Sequence, residues 1–179
     1  MQEFTELARP YAIAPIKRTH IPVLAELAAR TFTEAFGSSM EPEELKLSLE
    51  ENRSETFFER TFDLGEILGA WDGEKLVGYV QFGKVLMEDA GANPEDGELG
   101  RLYVDSAYQR QGIGRRLMEA ALERPRLKDA PRVFLQVWDK NDKALALYHQ
   151  FGFEICGETH FVAGGRAMTD LVMVRMRPS

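Results

Sequence analysis

The sequence is poor in cysteine and in long apolar segments. Its one cysteine, Cys156, excludes an internal disulfide and offers no cysteine-based zinc cluster. A membrane helix needs roughly 18 to 20 consecutive apolar residues, and no stretch of this sequence approaches that length. The first ten residues also lack the basic and then apolar blocks of a secretory signal. We therefore expect no membrane association and a location in a reducing cytoplasm.

Positive charge is scarce as well. The chain carries 22 lysine and arginine residues against 29 acidic residues, which gives a formal net charge of −7 at pH 7. This balance argues against nucleic-acid binding, which usually depends on a basic surface. It favours cationic over anionic small molecules as ligands. The apolar share of 44% and the charged share of 28% are ordinary for a globular domain, so we expect no disordered or fibrous protein.

Periodicity and turn residues predict a single α/β domain that spans residues 1–179. Pro15 suits an edge strand, and Asp72-Gly73 marks a β-hairpin. The predicted strands are 11–17, 66–71, 76–85, 98–104, 132–137, 153–161 and 167–176, and the predicted helices are 19–36, 40–50, 56–62, 112–124 and 141–151. This order indicates one mixed sheet flanked by helices.

The segment from Tyr103 to Arg116 has the features of an anion site. A strand ends near Val104, a polar loop follows, and Gly112 and Gly114 open a helix. Glycines at such a junction let the backbone approach a ligand and direct free N–H groups towards it. The spacing matches neither a Walker loop nor the longer dinucleotide-binding fingerprint.

Three arginines strengthen this interpretation. Arg110, Arg115 and Arg116 crowd the start of the predicted helix, where each cation opposes the helix dipole by roughly 0.3 to 1 kcal/mol. A bound pyrophosphate would make the same charges favourable. The alternative is a glycine-containing turn with solvated arginines.

Two motifs resemble those of the GNAT superfamily of N-acetyltransferases, and they follow one another in the same order as in that family. The first is Gln109-x-x-Gly112-x-Gly114 after the strand 102–104, which resembles the pyrophosphate loop of the family. The second is Asn141-x-x-Ala144-x-x-x-Tyr148 followed by Gly152-Phe153. With the surrounding strands the resemblance covers residues 64–176. It implies the GNAT fold, with a mixed and mostly antiparallel central sheet, and an enzyme that uses acetyl-CoA.

The resemblance also implies which residues bind acetyl-CoA. The backbone of Leu102, Tyr103 and Val104 is expected to hold the pantetheine and to polarise the acetyl carbonyl. Asn141 is expected to reach the cofactor arm, and Ala144 to pack beside it. The N–H groups expected to hold the pyrophosphate belong to Gln109, Arg110, Gln111, Gly112, Ile113, Gly114 and Arg115.

Acetyl transfer to an amine in a ternary complex needs a general base and a general acid. Tyr148 matches the family tyrosine that protonates the leaving sulfur, although it also falls on the apolar stripe of its helix and could be a core residue. Glu98, at the start of the central strand, is expected on one face with Gly100 and Leu102 and is the candidate base, acting through water. Asp105 is a competing base, and Glu98 could instead be a solvated acid.

Other reactive side chains do not form a site. Cys156 is interpreted as a small apolar strand residue, His20 as part of a helix start and His149 as a solvated side chain. His160 falls near a strand end that could border the acceptor, although an exposed strand histidine is the simpler interpretation. No spacing of histidine and acidic residues predicts a metal site.

Within the superfamily the chain resembles bacterial PaiA-type spermidine/spermine N-acetyltransferases in segments 31–36, 137–141 and 169–173. This resemblance implies a small, cationic polyamine as acceptor, with the N-terminal helices 19–62 on the acceptor side. Gly100 departs from that group, where an acid is expected. The acids that could line a channel are Glu34, Glu41, Glu43, Glu44, Glu88, Asp89, Glu95 and Asp96.

Three other functions stay open. The acceptor could be a peptide N-terminus or lysine, or an amino sugar. The chain could also be a regulatory module that binds CoA without turnover, although the presence of Tyr148 argues against this. A homodimer is possible, with Phe57, Phe58 and Phe62 as candidates for a dimer or lid surface.

Overall fold

The computed structural model describes residues 11–88, 90–163 and 166–179, and Asp89 of the predicted acidic loop lies outside them. The strands are β1 (Ala12–Pro15), β2 (Gly65–Asp72), β3 (Lys75–Lys84), β4 (Gly97–Val104), β5 (Arg132–Trp138), β6 (Glu154–Ala163) and β7 (Arg166–Met176). The helices are α1 (Ile21–Phe36), α2 (Pro42–Asn52), α3 (Glu55–Thr61), α4 (Ile113–Leu122), α5 (Pro125–Lys128) and α6 (Asp142–Gln150). The predicted order of elements is confirmed, with α5 as the one helix that was not predicted.

Proline chemistry explains α5. The sequence interpretation extends one helix to Arg124, whereas α4 ends at Leu122. Arg124 has extended dihedral angles because a following proline disfavours the helical region. Pro125 then occupies the first turn of the next helix, where its missing N–H costs nothing.

The seven strands form one sheet in the order β1-β2-β3-β4-β5-β7-β6. All neighbours are antiparallel except β4 and β5, which run parallel, so the mixed and mostly antiparallel sheet is confirmed. Pro15 lies at the end of β1, on the edge of the sheet, where it removes no interior hydrogen bond.

Helices cover both faces of the sheet. On one face α1 buries Ile21, Leu24 and Leu27 beside Phe58 of α3. On the other face α4 buries Ile113 and the apolar residues that follow it, and α6 packs beside it. The apolar stripes of the two long helices place them there, because each stripe recurs at helical spacing and must leave water. No helix of the described residues is long and apolar enough to cross a membrane.

The parallel contact between β4 and β5 is short. Only Gly97 with Val133 and Glu98 with Phe134 are in register, and beyond them the strands separate. Leu99 and residues 101–104 of β4 are therefore paired with β3 on one side, and residues 99–104 have no strand partner on the other side. The backbone groups that face the gap are free to bind a ligand, since an unpaired buried N–H or C=O needs a partner.

A β-bulge in β4 changes the predicted faces of this strand. Leu102 pairs with Val80 and Glu98 pairs with Gly83, so one extra residue is present in β4 between them. Val80 and Gly83 are three positions apart and point to opposite faces of the sheet. The prediction that Glu98 and Leu102 share a face is wrong, because the bulge reverses the alternation.

Candidate active site

A cavity of about 900 Å³ occupies the gap between β4 and β5. Its loop half lies on the α4 and α6 face of the sheet, and its helix half lies beneath α1 and α2. The loop half is lined by Leu102, Val104, Gln109, Arg110, Gly112, Ile113, Gly114, Asn141, Ala144, Leu147 and Tyr148. The helix half is lined by residues that include Phe32, Glu34, Phe36, Arg53, Arg101, Tyr103, Gln136, Trp138, Met168 and Asp170.

The loop between β4 and α4 has a backbone suited to bind an anion. Gly112 precedes the first turn of α4 with φ of 77°, and Arg110 also has a positive φ of 63°. A Cβ at Gly112 would meet nothing within 4 Å, so the glycine serves backbone geometry and not close packing. The first N–H groups of α4 have no partner within the helix and lie at its positive end.

Asp105 anchors the loop between β4 and α4 to helix α1. Its side chain is almost fully buried, accepts a hydrogen bond from Arg30 at 2.6 Å and accepts another from the Ala107 N–H at 3.0 Å. Burial would raise the pKa of Asp105, but the hydrogen bonds from Arg30 and Ala107 outweigh it and hold the pKa below its usual value. Asp105 does not line the cavity, so the structure gives no support to its role as base.

Replacing Asp105 with Asn should therefore lower the free energy of unfolding by about 1 to 3 kcal/mol, because Arg30 loses a buried charged partner. The wild-type advantage should be present at neutral pH and should fade as pH falls below about 4, since the folded state lowers the pKa of this carboxyl. Urea unfolding at several pH values measures both effects. The control is Asp63→Asn, which breaks an exposed pair with Arg18 and should change stability little. Equal effects of the two variants would contradict the anchoring role.

Two predicted loop residues do not line the cavity. Gln111 accepts a hydrogen bond from the Tyr11 hydroxyl, and Arg115 donates one to Gln150. The Arg115 guanidinium also lies over the Phe151 ring, 5.4 Å from its centre. The structure thus brings together the loop residues Gln109, Arg110 and 112–114, and leaves these two outside the cavity wall.

The start and the middle of α6 supply the opposite wall of the loop half. Asn141 caps α6 by accepting a hydrogen bond from the Ala144 N–H at 3.3 Å, and both residues line the cavity. Tyr148 lines it too, with only 7% of its surface exposed. Burial, with a smaller effect of Tyr103, raises the pKa of Tyr148, so the phenol stays protonated. Tyr148 is thus a buried core residue that also lines the cavity.

The structure does not bring Glu98 to the cavity. Its Oε2 atom accepts hydrogen bonds from the N–H groups of Leu86 at 2.6 Å and Met87 at 3.1 Å. The carboxylate therefore holds the loop after β3. The β4 bulge is the reason that the sequence interpretation misplaced it, since it turns Glu98 away from the face that carries Leu102.

Sequence reasoning missed the chemistry of the helix half. Asp170 of β7 pairs with Trp138 of β5 and lines the cavity. Burial, followed by the negative charge of Asp139, raises the pKa of Asp170. The segment 169–173 resembles PaiA-type enzymes, but the position of Asp170 beside Trp138 depends on strand pairing that no local pattern reveals.

The predicted acidic channel is largely absent from the cavity wall. Of the four predicted acids in the described N-terminal helices, Glu34 lines the cavity and Glu41, Glu43 and Glu44 do not. Asp96 is fully buried and pairs with Arg132 at 2.7 Å, so it serves the fold. Two arginines, Arg53 and Arg101, line the helix half together with Glu34 and Asp170.

The other side chains singled out in the sequence lie outside the cavity wall. Cys156 is exposed and not an apolar core residue, because it is the extra residue at an irregularity in β6. His20 does form part of a helix start, where its Nδ1 accepts from the Lys17 N–H. His160 contacts Glu158 and Thr169 and does not line the cavity. Phe58 is fully buried and cannot contribute to a dimer surface. The described residues contain no group of three potential metal ligands.

The sequence model of the acetyltransferase (GNAT) family matches residues 21–153. The chain belongs to this family. It is therefore an acetyl-CoA-dependent N-acetyltransferase of GNAT type, as its motifs predict. An uncharacterized N-acetyltransferase of Mycobacterium tuberculosis is 32% identical over 154 residues, which are 85% of this chain and 94% of the relative.

Two curated relatives whose names indicate an acceptor match this GNAT chain over about half its length. The spermine/spermidine N(1)-acetyltransferase of Bacillus subtilis is 30% identical over 89 residues, 48% of this chain and 57% of its own. The N-alpha-acetyltransferase RimI of Mycobacterium tuberculosis is 39% identical over 90 residues, 50% of this chain and 52% of its own. These names differ in their acceptors, so the relatives do not agree on a substrate.

Solved structures agree on the fold. The PaiA N-acetyltransferase of Thermoplasma acidophilum in complex with coenzyme A superposes with a TM-score of 0.72. The alignment covers 93% of this chain and 99% of that one, with 19% sequence identity. At this identity the likeness shows the fold alone.

Proposed function

We propose that this enzyme acetylates a primary amine of a small molecule by direct attack in a ternary complex. The observation that carries the proposal is the gap between β4 and β5, which joins the loop half and the helix half in one cavity. Acetyl-CoA in the loop half and the amine in the helix half could meet there without a covalent enzyme intermediate. Direct transfer needs such a meeting point, because the reacting atoms must be in near contact.

The residues of the loop half support acetyl-CoA as its occupant. We propose that those backbone groups of Leu102, Tyr103 and Val104 that point into the gap, and not towards β3, bind the amides of the pantetheine and orient the acetyl carbonyl. The N–H groups between Gln109 and Gly114 would bind the pyrophosphate, with Asn141 and Ala144 beside the arm. Bound there, acetyl-CoA supplies an activated acetyl thioester.

Tyr148 and Asp170 would move the two protons of the reaction. Asp170 lies in the helix half and its raised pKa makes it a better base than an ordinary carboxylate, so we propose that it takes the amine proton, directly or through water. Tyr148 lies in the loop half and would give a proton to the leaving sulfur. A phenol that stays protonated can donate a hydrogen bond, and then its proton, to the sulfur as negative charge develops on it, and the phenolate regains a proton from solvent.

The cavity does not select one amine as the acceptor. The partial likeness to a spermine/spermidine acetyltransferase and the carboxylates of Glu34 and Asp170 support a polyamine. The guanidiniums of Arg53 and Arg101 in the same half oppose a polycation. The partial likeness to RimI supports a protein N-terminus. The polyamine acceptor predicted from the sequence therefore stays a prediction.

A thiol-release assay with acetyl-CoA tests the proposal. The panel contains spermidine, spermine, amino sugars, amino acids and peptides that start with alanine or serine. We expect saturable release with at least one primary amine and none with the N,N-dimethylated form of that amine, which has no proton to lose after attack. Tight binding of acetyl-CoA with no release on the whole panel would favour the CoA-binding regulatory module instead.

A further inference from the structure

Two arginines face the helix half of the cavity from different elements. Arg53 directly follows α2, and Arg101 belongs to β4 next to the bulge. This is unexpected in a chain whose net charge is −7. Two cations that share one partly buried site repel each other, and this repulsion is stronger there than in water.

Aromatic rings and one carbonyl hold Arg101. Its Nη1 atom donates to the Asn52 carbonyl oxygen at 2.7 Å, and its guanidinium lies 4.7 Å from the centre of the Phe57 ring. Burial, together with the positive charge of Arg53, lowers the pKa of the Arg101 guanidinium, although Tyr79 acts in the opposite direction. These contacts fix the direction of the side chain and leave its charge uncompensated.

Arg53 is held in a similar way. Its guanidinium stacks 3.7 Å above the centre of the Phe32 ring, and its buried Nε–H has no hydrogen-bond partner within the described part of the chain. Elsewhere Arg30, Arg124 and Arg132 each pair with a carboxylate. Among the described residues no carboxylate lies within 4.0 Å of either Arg53 or Arg101, although Glu34 and Asp170 line the same half.

We propose that the acceptor carries a carboxylate as well as its primary amine, and that Arg53 and Arg101 bind this carboxylate. This inference rests on the proposed function and names its substrate class as a small amino acid. A carboxylate matches the planar fork of a guanidinium and would remove the repulsion between the two cations. The amine would then lie towards Asp170, and the ring wall of Phe36 and Trp138 would contact the carbon chain.

A purely structural role for the two arginines is the competing explanation. In that case the guanidiniums serve only to pack on Phe32 and Phe57, a contact that contributes to folding. The two explanations differ in what they require of the substrate. Packing predicts no dependence of turnover on a carboxylate, whereas binding predicts a dependence that disappears with the arginines.

The test compares amines that differ only by a carboxylate. Each free amino acid is paired with its decarboxylated amine, for example lysine with 1,5-diaminopentane and phenylalanine with phenethylamine, and spermidine is included. Thiol release gives kcat/KM for wild type, Arg53→Gln, Arg101→Gln and Arg101→Lys. The control is Arg60→Gln, because Arg60 also lies over the Phe57 ring, at 6.0 Å, but does not line the cavity.

We expect the kcat/KM of wild type for at least one amino acid to exceed that for its decarboxylated partner by about tenfold or more, because the carboxylate would form charge-assisted hydrogen bonds with the arginines. Arg53→Gln and Arg101→Gln should remove this preference through KM, Arg101→Lys should retain part of it, and Arg60→Gln should retain all of it. Melting temperatures show whether each variant folds, and Arg53→Gln keeps the test valid if Arg101→Gln does not fold.

Three results would overturn the inference. The first is equal rates within every pair, and the second is a preference for spermidine or another amine without a carboxylate. The third is a carboxylate preference that survives in both Gln variants. Each of these results leaves acetyl transfer to an amine intact. No thiol release with any amine, with acetyl-CoA still bound, would overturn the proposed function and this inference together.

Discussion

Replacing Tyr148 with Phe should lower kcat by about 10²- to 10⁴-fold, the usual contribution of a positioned general acid. The change removes one hydroxyl from a side chain that is 7% exposed and leaves its ring in contact with the core. The affinity for acetyl-CoA should be almost unchanged, because Tyr148 acts on the leaving sulfur after binding. Steady-state rates with the best acceptor and the dissociation constant of acetyl-CoA measure the two quantities separately.

Tyr79→Phe is the matched control for this variant. Tyr79 is fully buried and does not line the cavity, and its hydroxyl acts on Arg101 and not on the loop half. An effect of losing that hydroxyl should therefore appear in KM through Arg101, whereas kcat should stay close to wild type. If Tyr148→Phe turned over as fast as Tyr79→Phe, Tyr148 would be a core residue only, and the acid would have to be water or another group.

Replacing Asp170 with Asn should lower kcat/KM by about 10²-fold or more at neutral pH, because the amine loses its proton acceptor. A base works in its deprotonated form, so wild-type kcat/KM should fall as pH falls through the pKa of Asp170. Burial and the charge of Asp139 raise this pKa, which places the acid limb above the ordinary carboxyl value of 3.8. A pH–rate profile of the variant should lack this limb.

Two further variants assign the limb to its residue. Asp139→Asn removes a neighbouring negative charge, so it should lower the pKa of Asp170 and shift the acid limb to lower pH. Glu98→Gln should leave the limb in place, because the Glu98 carboxylate is engaged by the N–H groups of Leu86 and Met87. Loss of the limb in Glu98→Gln, with its retention in Asp170→Asn, would restore Glu98 as the base.

The sequence predicts local structure well because its signals are local. Apolar spacing predicts α1, Asp72-Gly73 predicts the turn between β2 and β3, and Pro15 predicts the edge strand. The two motifs around Gly112 and Tyr148 predict most of the loop half. In each case a few neighbouring residues are sufficient, since helix stripes, turns and motifs are set within a short segment.

The errors arise where one strand depends on another. The bulge between Glu98 and Leu102 is defined by pairing with β3, and its extra residue is Gly100. A glycine inside a strand is a signal for a bulge, but the pairing with β3 is needed to show which side chains change face. Asp170 and Arg53 lie more than 100 positions apart in the chain and meet only in the cavity. Their joint chemistry is therefore visible in the tertiary structure and not in the sequence.

The short parallel contact between β4 and β5 also has a mechanical consequence. Two register pairs join these strands, whereas seven join β3 to β4 and seven join β5 to β7. The sheet therefore consists of two strand ladders, β1-β2-β3-β4 and β5-β7-β6, joined by a short contact. We expect that rotation about this contact can widen or narrow the gap between β4 and β5 without breaking the hydrogen bonds inside either ladder, so the gap can adjust to the thickness of its occupant.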